Sequence, residues 1–531
     1  MLFPTMSFFL FFLVVFGVSW RLRPYPHSWK LFMLAVSYLF YGWWDWRFCF
    51  LLAGSTVGNI VAAHRVAAAA TDKGRKRALI AGVVFNLVLL GFFKYYGFFV
   101  ESLVSALEPV GLAPTTLLVE IALPVGISFF TFCALSYVID VYRGDFEVAA
   151  PIDVAVYLSF FPHLVAGPIV RAREFLPQLA RVPDPNALDA TRAVHLIARG
   201  LFKKVVIANF LAQSIVDPVF ASPNSFDSWD LFVGAYAYAV QIYADFSGYT
   251  DIAIGTALLL GIKFPENFDR PYIAATIQDF WRRWHMTLSR WLRDYLYIPL
   301  GGNRNGRRAE YRNLMITMAL GGLWHGARWT FVIWGVYHGA GLIAEHWAQS
   351  RRDRPLEVRS PKVEALREQL GLRTSHGDVP VVTLPDGQPA NAALAPDAQP
   401  AKPVLPEEAE TQATSPPPPR RSNPWLGRLV TFNFVVVGWI LFRSESFTDA
   451  WDYLRRLFTA WGSSGEVTWL IVATIAASLA AQFLPKKVGL MLEWRASHLP
   501  PIVQGIGFGV FLVALDILGP QGVAPFIYFQ F

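Results

Sequence analysis

The chain has 531 residues, of which 54% are hydrophobic and only 16% charged, with a formal net charge of +7. An ordinary soluble domain carries about 25% charged residues. The deficit here runs the whole length, which excludes a soluble protein held by one anchor helix. The Lys and Arg residues sit in short loops between apolar runs, a cytoplasmic-face pattern and not a nucleic-acid patch.

Apolar runs lie at roughly 5–20, 31–64, 79–98, 116–140, 152–169, 194–220, 231–262, 313–348, 425–443, 467–484 and 503–520. At about 20 residues per crossing several could cross twice, giving about 11 to 13 helices in an all-α polytopic membrane protein. The first run lacks a basic leader and a cleavage site, and reads as a retained helix. Arg21, Arg23 and Lys30 after it, and the cluster Arg65, Lys73, Arg75, Lys76 and Arg77, mark cytoplasmic loops. Trp43-Trp44-Asp45-Trp46 suits an interface belt. The loop with Glu101 and Glu108 has no basic residue and is expected outside, as is the N-terminus. Cys49 and Cys133 both lie in apolar runs, so neither a disulfide framework nor a cysteine metal site is expected.

The run 152–169 has Arg143 before it and Arg171 and Arg173 after it, so both ends read as cytoplasmic. With Pro162 inside and Gly167-Pro168 at its close, a broken or re-entrant helix pair is expected. Further on, Trp281, Trp284, Leu288, Trp291 and Tyr295 follow a helical period flanked by Arg282, Arg283, Arg290 and Arg293. That spacing predicts one amphipathic interfacial helix near 278–297. Residues 350–424 are rich in Pro, Ala and charge and are expected to be a disordered cytoplasmic insertion. It divides a membrane core of 1–349 from C-terminal helices of the same core at 425–531.

Of ten histidines, four fall where a solvated side chain is not the default. His325 lies in Leu320-Gly321-Gly322-Leu323-Trp324-His325-Gly326, at the bend of a hairpin whose ends both carry basic residues. An ionisable residue at membrane depth is costly and points to function; the competing reading is a histidine that pins a helix bend through a carbonyl. His285, spaced with Trp281, Leu288 and Leu292, falls on the buried side of the amphipathic helix, where spacing favours an interfacial anchor. His338 reads as a packing residue, and His163 could line a cavity. The stripe Gln241 to Asp251 puts Asp245, Tyr249 and Asp251 inside an apolar run. It is either a substrate-tunnel wall or a helix-to-helix hydrogen-bond network, the second being favoured. No P-loop, dinucleotide fingerprint, HExxH or Gly-x-Ser-x-Gly occurs.

Acyl transfer from a thioester to a hydroxyl needs the hydroxyl proton removed during attack. A neutral imidazole suits that task near neutral pH, and an activated thioester needs no covalent enzyme intermediate. The simplest assignment makes His325 the base and His285 a second group that orients a substrate or stabilises the oxyanion.

A series of motifs resembles the membrane-bound O-acyltransferases, and within them the bacterial alginate O-acetyltransferase branch. It includes Tyr38-Leu39-Phe40-Tyr41-Gly42-Trp43-Trp44, Phe93-Lys94-Tyr95-Tyr96 and Leu123-Pro124-Val125-Gly126-Ile127-Ser128. Asp245-Phe246-Ser247-Gly248-Tyr249 and Gly438-Trp439-Ile440-Leu441-Phe442-Arg443 also fit. The most specific stretches are Asp279-Phe280-Trp281-Arg282-Arg283-Trp284-His285-Met286 and Gly322-Leu323-Trp324-His325-Gly326-Ala327. The resemblance covers nearly everything outside 350–424, where the branch has a shorter connection.

It implies a ring of helices, with re-entrant and interfacial pieces, around a central tunnel. It implies catalysis by His325, with His285 as the second functional position; beside them Trp324, Trp284, Asp245 and Tyr249 are taken as candidates for substrate contact. No bound cofactor or metal is implied. Acetyl-CoA or another acyl thioester would be the cytoplasmic co-substrate. A periplasmic acetyltransferase or polysaccharide-export proteins would be partners at a bacterial inner membrane. The acceptor would be an exported, alginate-like polysaccharide. Peptidoglycan acetylation and D-alanyl transfer to teichoic acid stay open on the same fold. A secondary transporter or flippase without acyl chemistry is the alternative of another class, although no half-chain symmetry supports it.

Overall fold

A computed structural model describes residues 1, 3–111, 121–165, 167–352 and 423–518. The expected insertion lies almost wholly outside the described residues. Residues 1–345 and 423–531 form one compact unit. Of the second unit, 346–422, only the end of a helix reaching Arg352 is described.

Among the described residues there are helices and no strands. In chain order they are α1 (Met6–Leu22), α2 (Pro26–Gly42), α3 (Arg47–Ala68), α4 (Asp72–Leu90), α5 (Tyr96–Leu107) and α6 (Ile127–Arg143). Then come α7 (Pro151–Ser159), α8 (Phe161–Leu164), α9 (Ala172–Leu179), α10 (Ala190–Leu201), α11 (Asn209–Leu211), α12 (Asp217–Ala221) and α13 (Ser228–Leu259). The site is built on α14 (Ile277–Arg283), α15 (Met286–Leu292), α16 (Arg307–His325) and α17 (Trp329–Arg352). The described residues close with α18 (Pro424–Arg443), α19 (Phe447–Thr459), α20 (Trp469–Ala481), α21 (Lys486–Ser497) and α22 (Pro501–Leu518).

Four described helical stretches are long and apolar enough to cross a membrane: Arg47–Ala68, Asp72–Val110, Ala190–Ala221 and Pro424–Arg443. A fifth arises if α20 and α21, bent by 92° at their junction, count as one span. Apolar runs in the sequence outnumber straight spans because several fold as broken pieces. The run 152–169 becomes α7 and α8 with a break at Phe160, as its proline and flanking arginines led us to expect.

The local signals are ordinary. The Thr5 side chain accepts from Phe8 N to start α1, and Thr71 accepts from Gly74 N to start α4. Between α3 and α4, Asn59 and Asn86 exchange amide hydrogen bonds of 3.1 and 2.7 Å, so both buried amides are satisfied. The central element is α13, about 48 Å long at 1.5 Å per residue. It packs against α10, α18, α19 and α20. A Cβ on Gly200 of α10 would lie 2.5 Å from Gly248 O of α13, so only glycine permits this backbone approach.

One expectation is corrected. The stretch 278–297 is not one helix. It breaks at Trp284-His285, where His285 takes φ +42°, and it ends in a wide turn at Arg293–Tyr297. The cause lies in the preceding loop. Asn267 O accepts from Met286 N at 2.9 Å, and Asn267 Oδ1 accepts from Thr287 N at 3.2 Å. These bonds start a new helix at Met286 and force the turn before it. Nor does the apolar stripe lie on an open surface. Trp284 and Trp291 are buried, and Trp291 stacks on Phe132 of α6 at 3.7 Å.

Candidate active site

His325 is the last residue of α16, and Gly326 leaves the helix in an extended conformation. The α16–α17 hairpin closes tightly because Gly322 and Gly335 face each other. A Cβ on either would press into the opposite backbone, at Phe331 O or Met318 O. The tight crossing sets the His325 ring 5.1 Å from Trp334 of α17 and 5.4 Å from Phe442 of α18, both near edge-on. Trp324 lies 5.1 Å away and leans on Phe129 and Phe132 of α6. His325 and Trp324 are each only 3% exposed.

His285 faces this group with its ring centroid 6.4 Å from that of His325 and 5.9 Å from that of Trp324. It is fully buried, and Phe246 of α13 meets it edge-on at 4.7 Å. A non-glycine residue in the left-handed region stores strain, and such strain persists only where the surroundings enforce it. Here Asn267 enforces it. Its Oδ1 lies 3.1 Å from His285 Nδ1 and also accepts from Thr287 Oγ1 at 2.8 Å. An oxygen that accepts from Thr287 makes Nδ1 the protonated nitrogen of His285. Nε2 therefore carries a lone pair, and it has no hydrogen-bond partner among the described residues.

The structure thus brings together four of the six residues singled out by sequence. Trp284 joins through Trp439, 4.8 Å away, which in turn stacks on Trp334 at 5.8 Å. Asp245 and Tyr249 are engaged at Lys204. The lysine pairs with Asp245 at 2.5 Å, both side chains buried, and lies 5.6 Å over the Tyr249 ring. Asp251 likewise pairs with Arg199 and Lys203 at 2.7 and 2.8 Å. These ion pairs tie α13 to the segment before it and match the helix-to-helix reading of the stripe. The α13 residues that do reach the histidine region are Phe246 and Tyr243, the latter 6.4 Å from Trp284. They lie one to three positions from the residues chosen, a shift of face that a 3.6 period makes easily. His163 is enclosed by Tyr157, Phe160, Phe175 and Phe264. His338 packs on Trp281 and Trp334.

Sequence reasoning gave no role to Lys94 or Tyr95. Lys94 Nζ donates to Trp324 O, to His325 O at 3.3 Å and to Ser128 Oγ at 3.1 Å. Tyr95 Oη donates to Leu323 O at 2.9 Å. The available signal was a lysine inside the apolar run 79–98.

A cavity of about 600 Å³ opens among Arg143, Arg171, Arg173, Arg304, Asp140 and Asp294, with Tyr295 in its wall. Burial alone would raise the Asp294 carboxyl, but hydrogen bonds from Arg293 and Arg171 outweigh it and hold the group below the usual carboxylate range. An aromatic column leads inward from this cavity. Tyr295 meets Trp291 at 5.2 Å, Trp291 stacks on Phe132, and Phe132 meets Trp324 at 5.3 Å.

Two buried histidines thus face each other in an aromatic chamber inside an all-helical polytopic protein. The model of "MBOAT, membrane-bound O-acyltransferase family" matches residues 85–355, and the chain belongs to that family. It is an O-acyltransferase. Similar proteins include the "Probable alginate O-acetylase AlgI" of Azotobacter vinelandii, 35% identical over 575 residues and 100% of both chains. The protein of the same name in Pseudomonas aeruginosa is 39% identical over 466 residues, 86% of this chain and 75% of the relative. The "Peptidoglycan O-acetyltransferase" of Helicobacter pylori is 38% identical over 367 residues, 63% of this chain and 68% of the relative.

Proposed function

We propose that this protein moves an acetyl group from a cytoplasmic thioester, acetyl-CoA, toward an exported alginate-like polysaccharide at the bacterial inner membrane. His325 serves as the general base. The observation that carries this reading is the facing of His325 and His285 in a buried aromatic chamber, 6.4 Å apart by ring centroid. The acceptor hydroxyl attacks the thioester carbonyl while His325 takes its proton. The C–S bond then breaks, and the imidazolium returns the proton to the leaving thiolate. The lone pair on His285 Nε2 suits accepting a hydrogen bond from a second hydroxyl of the acceptor, beside the one that His325 deprotonates. In this tautomer it has no proton to offer an oxyanion, so orientation is the role its geometry supports. The arginine-lined cavity supports entry of a phosphate-bearing donor from the basic side, since guanidinium groups bind phosphate oxygens in pairs.

Coverage supports this acceptor: the alginate-named relative from Azotobacter vinelandii matches end to end, the peptidoglycan relative over 63% of this chain. A periplasmic acetyltransferase would complete delivery to the polymer. The test is His325→Ala in cells that make the polymer, with membrane protein quantified alongside. Loss of polymer acetylation at unchanged protein level is expected; normal acetylation would overturn the assignment. Purified protein with labelled acetyl-CoA separates this enzyme from a transporter, which would not turn the donor over.

A further inference from the structure

Between α4 and α5 the backbone widens into a single π-helical turn, Gly91–Tyr95. Such turns are rare and often lie at functional sites, because the extra residue re-aims the side chains that follow. Here it aims Lys94 and Tyr95 at the end of α16. The last carbonyls of any helix have no amide partner of their own. In α16 those of Leu323, Trp324 and His325 are taken by Tyr95 Oη and Lys94 Nζ, side chains some 230 residues earlier in the chain. Lys94 Nζ is held in turn by Ser128 Oγ of α6 at 3.1 Å. It also lies 5.7 Å from the centroid of the Trp324 ring.

Two features set this apart from an ordinary helix cap. The carbonyls engaged belong to the very residues that present the indole and the imidazole. In addition, the cap is an ionisable amine inside an apolar run, and among the described residues no carboxylate lies within ion-pair distance of its nitrogen. A neutral hydroxyl or amide would have satisfied carbonyls at lower desolvation cost. One amine that donates to two terminal carbonyls of α16 and to a hydroxyl of α6 ties that terminus to a neighbouring helix through a single group.

We infer that Lys94 is a positioning residue for acyl transfer: it clamps the terminus of α16 so that the His325 imidazole stays opposite His285. Tyr95 is the second arm of the clamp. This rests on the reading of His325 as the base. A reacting group displaced by about 1 Å costs on the order of 10²-fold in rate.

The experiment uses the full-length protein in detergent or nanodiscs, with labelled acetyl-CoA and acceptor. Lys94→Met is expected to lower kcat by about 10- to 100-fold, with KM for the donor unchanged within about twofold. Lys94→Arg, which keeps charge and donors, should recover much of that loss. Tyr95→Phe should lower kcat several-fold, again without moving KM. In a His325→Gln background, Lys94→Met should cause no further loss, since residues that act as a unit are not additive. A brace with no positional role would lower the yield of folded protein and leave kcat per folded molecule intact. Unchanged kcat in Lys94→Met would overturn the inference. If that variant does not fold, unchanged kcat in both Lys94→Arg and Tyr95→Phe would overturn it equally. Full activity of His325→Gln would instead refute the function proposed above, and so the two failures are distinguishable.

Discussion

Asn267 lies 18 residues before His285 and determines which nitrogen of that histidine carries the proton. Consider Asn267→Ala. The substitution removes the acceptor for His285 Nδ1, Thr287 N and Thr287 Oγ1, at 3.1, 3.2 and 2.8 Å. Each buried hydrogen bond contributes about 1 kcal/mol net, and a buried donor left unpaired costs about 1–3 kcal/mol. With three donors released, and Thr287 Oγ1 free to rotate toward another acceptor, we expect a loss of about 3 kcal/mol in stability. Released from its acceptor, the imidazole can also place its proton on Nε2, which turns the lone pair away from the chamber. The strained backbone at His285, φ +42°, loses part of what enforces it. We expect kcat/KM to fall on the order of 10²-fold, in the range of lost positioning. Asn267→Asp keeps an acceptor for all three donors and should retain most activity. The assay is donor turnover by purified protein, normalised to the folded fraction from a thermal melt monitored by Trp fluorescence. If Asn267→Ala keeps kcat/KM within twofold, His285 does not work through a fixed tautomer and the reasoning fails.

Lys204→Met should destabilise the protein by about 3–5 kcal/mol, because it leaves the Asp245 carboxylate buried without its cation. The pair Lys204→Met with Asp245→Leu should regain most of this in a thermal melt; no regain would show that Asp245 serves something other than the pair. Asp294 governs an acid-side dependence. Its folded pKa lies below its unfolded value of about 3.9, so its contribution is fully present above that value and is lost as pH falls through the folded one. Melting temperature should therefore drop below about pH 4, and Asp294→Asn should flatten that part of the curve.

Much of the fold was legible because a bilayer imposes a crude code. Long apolar runs, basic loops and prolines fixed the helical class, and the break within 152–169 followed from Pro162 and its arginine flanks. The same code misread 278–297. A 3.6 period in Trp281, Trp284, Leu288 and Trp291 persists across a break when the two half-helices face the same core. The agent of the break, Asn267, lies outside the window in which periodicity is read. Asp245 and Tyr249 were chosen for polarity in an apolar run, but polarity there has two sources. The cations that explain it, Lys204 on the segment after α10 among them, are 41 residues or more away and adjacent only in the fold. Lys94 presents the converse case. It had the same mark as Asp245, a charge in an apolar run, yet its partners are backbone carbonyls, which no sequence pattern advertises.

The misreading of 278–297 and the oversight of Lys94 share a physical origin in the irregular backbone. Inside a membrane protein a helix may widen, break or end only where protein groups take up the freed amides and carbonyls. The chamber has one instance of each: a wide turn at Gly91–Tyr95, a break at Trp284-His285 and a terminus at His325. At the break, Asn267 takes the amides of Met286 and Thr287; at the terminus, Lys94 and Tyr95 take the carbonyls of Leu323 to His325. The groups that make the irregularity tolerable are therefore the same groups that hold the two imidazoles. Satisfying the backbone and aiming the side chains are a single constraint here, and substitutions at Asn267, Lys94 or Tyr95 must act on both. The Lys204–Asp245 pair joins the wide-turned stretch Phe202–Ala208 to α13 through side chains alone, and its loss should lower stability while leaving turnover per folded molecule unchanged.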